Sequence, residues 1–276
     1  MYKNVRNILL SVGVIILVSI GLVSCKQQHA QNEIRIATIA GPETTLVEVA
    51  KEVAQKQYGL TIKIVQFSDY VMPNTALSDG SVDANMFQHR PYLEQAIKAH
   101  GYRLTAIGKT FVYPMGVYSR QYSSLAQIPN GSVIAIPNDP SNEARALLLL
   151  QKAGLITLHP GVSVSATPLD VDENPHQLVF KELDAAQLPR VLTDVAAAVI
   201  NTNYAIPAGL IPTQDAIFLE DKDSPYANLV VVRTEDIANP ELNTKFQHLL
   251  AALHSTSVLD KAKELFKNQA IPAWGA

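Results

Sequence analysis

The chain of 276 residues has a single cysteine, Cys25. No intramolecular disulfide can form, so packing and hydrogen bonding must hold whatever core it builds. Charge is sparse at 17% and nearly balanced at −3. That is too little basic surface for nucleic acid to be an expected partner. The G-x-S-x-G, H-E-x-x-H, P-loop and G-x-G-x-x-G signatures are all missing. The seven histidines are scattered, with no pair at i, i+4. A metal site assembled from distant segments, such as His89 with two carboxylates, is possible on paper but has no local signal. No enzyme chemistry, metal or cofactor is therefore expected. There is no low-complexity run and no repeat at a solenoid period.

One long charge-free run does exist, at the N-terminus. Lys3 and Arg6 precede residues 8–23, which are apolar or small. This is the charged-then-apolar layout of a secretory signal, and it is short for a membrane span, which needs about 20 apolar residues. A plain anchor helix is the alternative. The run ends in Leu22-Val23-Ser24-Cys25, which resembles the bacterial lipobox. The expectation is a signal peptide over 1–24, a diacylglycerol-bearing Cys25, and a polar tether over 25–32. The mature protein would then sit in the cell envelope, outside the cytoplasm, attached to a membrane through lipid on Cys25.

The remaining roughly 250 residues suit one large or two medium domains. Residues 34–39 alternate with period two. A helix follows over 43–58 with Leu46, Ala50, Val53 and Ala54 on one face, and residues 61–67 alternate again. This is a βαβ unit, and such units imply a parallel sheet. A short helix at 73–78, a strand at 81–87 and a helix from Pro91 to about 100 continue the pattern. Residues 104–119 read as strand but exceed an average strand's length, as if one strand left a first domain and entered a second. Further strands are expected near 132–137, 178–183, 196–200, 216–219 and 228–233. Helices are expected to about 153, at 240–253 and at 255–266. The predicted architecture is α/β: two lobes, 33–115 plus 228–276 and 116–227, with crossings near 111–119 and 224–231.

Ligands of α/β sheets collect at strand ends, and four such places carry suitable groups. In Asn138-Asp139-Pro140-Ser141-Asn142-Glu143-Ala144-Arg145, a helix N-terminus and a forked cation suit a carboxylate; from the sequence alone, a plain capped helix with a solvated arginine is slightly favoured. Phe87-Gln88-His89-Arg90-Pro91-Tyr92 offers rings for an apolar wall, or simply core. Ala198-Val199-Ile200-Asn201-Thr202-Asn203-Tyr204 ends a buried strand in amides, or in a helix cap. Ser224-Pro225-Tyr226-Ala227-Asn228 places an amide at the second crossing, or a turn. Together they would make one amino-acid site. Arg145 would hold the carboxylate, the Asn201 and Asn228 carbonyls the ammonium, and the rings an apolar tail.

At whole phrases the chain resembles a family. These include Asp69-Tyr70-Val71-Met72-Pro73-Asn74, Asp83-Ala84-Asn85-Met86-Phe87-Gln88-His89, Pro137-Asn138-Asp139-Pro140-Ser141-Asn142 and Glu220-Asp221-Lys222-Asp223-Ser224-Pro225-Tyr226. They are similar to the methionine-binding lipoproteins of bacterial ABC importers, the MetQ/NlpA group, and run in order from about residue 33 to the C-terminus. The resemblance implies a two-lobed periplasmic-binding-protein fold, type II-like, with the ligand in the cleft between lobes. It implies Tyr70, Phe87, His89 and Tyr92 around a thioether, Asn142 and Arg145 on the carboxylate, and Asn201 and Asn228 on the amino group. The implied ligand is L-methionine, with D-methionine or a methionine dipeptide as alternatives. The implied partners are an ABC permease with its ATPase. A surface interaction protein or adhesin is the reading from another class. The Gly41-Pro42-Glu43 opening of the first helix and the proline-rich stretch after Ile206 depart from the pattern, and neither is expected to touch the site.

Overall fold

The structure is a computed structural model that describes residues 32–221 and 224–275. The expected signal peptide over 1–24, the lipidated Cys25 and all of the tether but Asn32 lie outside the described residues, as do Lys222 and Asp223.

In chain order the strands are β1 (Glu33–Ile39), β2 (Thr61–Phe67), β3 (Ala84–His89), β4 (Leu104–Val112), β5 (Gly116–Tyr118), β6 (Val133–Pro137), β7 (Thr157–Leu158), β8 (Val171–Glu173), β9 (Val179–Leu183), β10 (Ala197–Ile200), β11 (Ala216–Leu219), β12 (Ala227–Arg233) and β13 (Ile271–Pro272). The α-helices are α1 (Pro42–Tyr58), α2 (Met72–Ser78), α3 (Arg90–His100), α4 (Pro140–Lys152), α5 (Thr202–Ala205), α6 (Pro212–Asp215), α7 (Pro240–Leu253) and α8 (Thr256–Leu265). Short 3₁₀ segments, among them Ala185–Val191, fill several connections.

The strands form two main sheets, ordered β13-β4-β12-β3-β1-β2 and β11-β5-β10-β6-β9, and a small β7-β8 hairpin. The fold is mixed α/β, as expected. The first sheet is not wholly parallel, however. β1 pairs in parallel with β2 and β3, while β12 runs antiparallel between β3 and β4. β12 is the segment that returns from the second sheet, so its direction is set by the crossing and not by a βαβ unit.

Alternation along β1 explains how the first sheet is covered. Ile34 and Ile36 point into a core with Leu46, Val47, Ala50 and Ala54 of α1 and with Phe246, Leu249 and Val258 of α7 and α8. Ala37 points the other way, into a smaller core with Leu77, Val82 and Leu93 beneath α2 and α3. The second sheet packs Ile134, Ile136, Ala197 and Val199 against Ala144, Leu147 and Leu150 of α4. Each fully buried Val, Leu, Ile or Phe side chain among these contributes roughly 1.5–3 kcal/mol of transfer free energy, and each alanine less. A further cluster joins Ile39, Tyr70 and Phe87 to Tyr118, Leu188, Ile200 and Tyr204, residues drawn from both sheets.

Most strand limits fall within a residue of expectation, and β3 and the second crossing differ by more. β3 begins at Ala84, not Ser81, because the preceding residues are spent on a turn. The Ser81 N–H donates to Asp79 Oδ1, and Asp83 Oδ2 accepts from the Arg35 backbone N–H at 2.7 Å. The strand then continues to His89. The long segment 104–119 is two strands, β4 in the first sheet and β5 in the second, joined by Tyr113-Pro114-Met115. The second crossing falls between the end of β11 at Leu219 and the start of β12 at Ala227. Asn228, expected in the crossing, is the second residue of β12, paired with His89 of β3.

Candidate functional site

A pocket with about 360 Å³ of atom-free space, its mouth included, lies where the ends of β3, β6, β10 and β12 meet the first crossing. It is lined by Tyr70, Phe87, Gln88, His89, Tyr92, Tyr113, Asn142, Arg145, Asn201, Thr202, Asn203 and Asn228. All eight ligand-contact residues expected from the sequence are in that set, brought together from segments up to 158 positions apart, the separation of Tyr70 and Asn228.

One wall is aromatic. Tyr70, from the turn before α2, has its ring centroid 5.8 Å from Phe87, 6.0 Å from Tyr92 and 4.9 Å from Tyr204. Phe87 and Tyr92 meet edge to face at 5.6 Å. The Tyr92 hydroxyl donates to the Tyr70 backbone carbonyl at 2.8 Å, which locks the two rings together and satisfies the buried phenol. No charged side chain belongs to this wall.

His89 closes that wall and caps α3. Its Nδ1 accepts the Tyr92 backbone N–H at 3.3 Å, so the ring proton sits on Nε2, which faces Asn142 Oδ1 at 3.2 Å. Burial, and then the Arg145 charge, push the His89 pKa down to about 3, so the ring is neutral.

The opposite wall is polar. Asp139 caps α4 and accepts the Asn142 backbone N–H at 3.0 Å and both of its oxygens accept from Asn142 Nδ2, at 2.8 and 3.0 Å. Asn142 Oδ1 accepts from Asn201 Nδ2 at 2.8 Å as well as from His89. Asn142 thus has its amide hydrogens committed to Asp139, and it orients His89 and Asn201 rather than presenting a free amide donor. Arg145 stands one turn into α4. Its Nε donates to Glu220 Oε1 at 3.0 Å and its Nη2 to the Tyr113 carbonyl at 3.0 Å and to Glu220 Oε2. The guanidinium also lies over the Tyr226 ring, 4.3 Å from its centroid. Arg145 is therefore held by both crossings at once, and among the described residues its Nη1 has no hydrogen-bond acceptor on the protein.

The Asn201-Thr202-Asn203 segment is not a side-chain cap. Asn201 stands at the N-cap of α5 but makes no capping hydrogen bond with its side chain. Thr202 Oγ1 donates to the Pro114 carbonyl at 2.6 Å, which ties α5 to the first crossing. Asn203 Nδ2 donates to Glu43 Oε2 at 2.6 Å, and Asn228 Nδ2 donates to Glu43 Oε1 at 2.8 Å. The Oδ1 atoms of Asn201 and Asn203 are buried without a hydrogen-bond partner.

Gln88, Tyr113, Thr202 and Asn203 line the pocket beyond the eight expected contacts, and Glu43 stands behind it unforeseen. The opening Gly41-Pro42-Glu43 was expected to lie clear of the site, yet Glu43 is 1% exposed and bonded to two pocket-lining amides. Gly41 makes this possible. Its φ of 146° is left-handed territory, and a Cβ there would stand 3.2 Å from Pro207 Cγ. The proline-rich stretch after Ile206, likewise expected to be remote, packs against this turn. In the sequence Glu43 looks like an ordinary acidic residue in a first helical turn, and nothing local betrays the partners 160 and 185 residues away.

A sequence profile described as NlpA lipoprotein matches residues 34–274. The chain belongs to the NlpA lipoprotein family. Among curated NlpA relatives, a D-methionine-binding lipoprotein MetQ of Salmonella typhi is 50% identical over 259 residues, covering 93% of this chain and 94% of that one. Among solved structures, an ABC transporter periplasmic substrate-binding protein from Coxiella burnetii is 57% identical, with a TM-score of 0.82, covering 87% of this chain and 100% of that one. A nutrient binding protein from Burkholderia cenocepacia, solved bound to methionine, is 48% identical with a TM-score of 0.84, covering 87% of this chain and 100% of that one.

Proposed function

We propose that this NlpA-family protein captures methionine and hands it to an ABC importer. The observation that carries the reading is the polarity of the pocket. A charge-free wall of Tyr70, Phe87 and Tyr92 faces a wall that holds a cation, Arg145, beside the amides of Asn201, Asn203 and Asn228. A thioether is polarizable and packs well on ring edges, while an α-carboxylate matches a guanidinium N–H and an α-ammonium matches carbonyl oxygens. Arg145 Nη1 would take the carboxylate, with Asn142 fixing the geometry. The relatives named for methionine support the same ligand.

In this reading the lobes are 33–115 with 228–276, and 116–227. The ligand touches side chains of both, so binding favours the closed arrangement by its differential affinity for it. Permease and ATPase would receive the ligand, and lipid on Cys25 would hold the protein near them at high effective concentration.

Several curated relatives bear D-methionine in their names, which favours a site that accepts that enantiomer as well. The test is calorimetric titration of protein stripped of ligand by partial unfolding and refolding. L-methionine, D-methionine, glycyl-methionine and leucine are titrated in parallel. Saturable heat with at least one methionine enantiomer, and weaker binding of leucine, is expected. No heat with either enantiomer would remove the reading, and preference for the dipeptide would reassign the ligand.

A further inference from the structure

Glu43 is a buried carboxyl with no cation bonded to it among the described residues, set directly behind two pocket amides. The side chain is reached from three elements. Asn203 of α5 and Asn228 of β12 donate to its two oxygens at 2.6 and 2.8 Å. Tyr113 of the first crossing turns its hydroxyl toward it without completing a hydrogen bond. The nearby titratable groups are Tyr113 and Tyr70, and burial keeps both phenols neutral. Arg145, the pocket's cation, is already paired with Glu220.

A carboxylate only accepts hydrogen bonds, so it dictates which way its amide partners point. With both Nδ2 groups on Glu43, Asn203 and Asn228 must turn their Oδ1 atoms away from it. Asn201 is fixed the same way by a different partner, its Nδ2 being on Asn142 Oδ1. Two of the three oxygens, those of Asn201 and Asn203, are fully buried with no partner on the protein. Three amide side chains lining one pocket, two of them backed by an anion, match a primary ammonium, which has three N–H donors and one positive charge.

We infer that Glu43 is the positioning residue that makes this site select a primary ammonium: its carboxylate orients the Asn203 and Asn228 carbonyls and supplies the counter-charge behind them. The inference rests on the amino-acid reading of the pocket. It also carries a proton linkage. Burial, offset in part by Asn228, Asn203 and Tyr113, raises the Glu43 pKa to about 7. Protonated, the group becomes a donor, and one amide must reverse and aim its NH₂ at the ligand. An ammonium bound in front of Glu43 favours the charged form, so binding near neutral pH should release a proton. Glu143 is also raised to about 7, by burial and by the charges of Glu182 and Asp139, and it is present in both wild type and Glu43→Gln, so comparing the two proteins isolates the contribution of Glu43.

The test compares methionine with its 2-hydroxy analogue, which keeps the thioether and carboxylate but lacks the ammonium. Wild-type and Glu43→Gln proteins are titrated with each from pH 5.5 to 8. Wild-type affinity for methionine is expected to rise with pH, approaching tenfold per unit below about 7 and levelling above it. E43Q is expected to bind methionine at least tenfold more weakly with a flat profile, and to bind the hydroxy analogue as wild type does. Equal binding of methionine by both proteins with one profile would overturn the inference, and so would equal loss of both ligands in E43Q. If wild type binds no methionine, the amino-acid reading falls and takes this with it. Should E43Q not fold, wild type alone decides. Titration in buffers of different ionisation enthalpy must show proton release with methionine and none with the analogue.

Discussion

At the scale of single residues, the site is built from side chains that hold one another. Arg145 shows the cost of that arrangement. It is 4% exposed, and Glu220 opposite it is 12% exposed at the side chain. Removing one partner of a buried pair leaves the other charge uncompensated, at roughly 3–5 kcal/mol. Arg145→Ala should therefore lower unfolding stability by about that amount, read by urea denaturation, and weaken methionine binding at least tenfold. Arg145→Lys should restore neither in full, because a single ammonium cannot reproduce the planar fork that meets Glu220 and the Tyr113 carbonyl together. Recovery of wild-type affinity in the lysine variant would show that the fork geometry is not what the ligand uses.

His89 gives a prediction of opposite character. Its folded pKa of about 3 lies below the ordinary histidine value of 6.5. Between those two values the unfolded chain binds more protons than the folded one, so stability is lost as pH falls below about 6.5. Glu43 has the reverse sign. Its pKa is raised from 4.5 to about 7, so ligand-free protein loses stability as pH rises through that interval. Denaturation curves at pH 5 and 7 should show the acid-side loss reduced in His89→Gln and the neutral-side loss reduced in Glu43→Gln. If each variant shifts both pH values equally, the titrations are not linked to folding.

At the scale of elements, the turn into α1 is the most exposed to a single change. Gly41→Ala would place a Cβ at a left-handed φ and 3.2 Å from Pro207. A strained backbone of this kind costs about 1–3 kcal/mol, and the displaced turn would carry Glu43 with it. Lower melting temperature together with weakened methionine binding is expected. Normal binding at reduced stability would mean that Glu43 keeps its place without the glycine.

Much of this element map was legible in the sequence. β1, α1 and β2 could be read to within a residue or two because period-two and helical patterns there agree with Gly59, the left-handed cap. The break at Tyr113-Pro114-Met115 was visible as a strand too long for one sheet. What could not be read has a common cause: it depends on partners far along the chain. β3 starts late because Asp83 serves Arg35, and β12 is antiparallel because it returns from another sheet. The two-residue strands β7 and β13 leave no pattern to detect. The same holds at the site. The ring wall and Arg145 stood out by residue type, whereas Glu43 and Asn203 acquire meaning only through each other. The amides of Asn142 and Asn201 were seen, but not that they bond to one another.

At the scale of the whole molecule, the proposed function assigns attachment and binding to separate segments. The pocket draws on residues between Tyr70 and Asn228, and lipidation is proposed for Cys25. Cys25→Ser should therefore bind methionine with wild-type affinity while moving from the detergent phase to the aqueous phase in a detergent partition experiment. Loss of binding in this variant would contradict the separation. Arg145 and Thr202 tie α4 and α5 to the first crossing, and Glu43 ties α1 to α5, so the pocket and that crossing share one set of hydrogen bonds.

The central claim is the polarity of that pocket, and a crystal structure with methionine bound tests it most directly. The account predicts the carboxylate on Arg145, the ammonium against the carbonyl oxygens of Asn201, Asn203 and Asn228, and the sulfur among Tyr70, Phe87 and Tyr92. A ligand bound end for end, with its ammonium away from those amides, or seated outside this pocket, would contradict it.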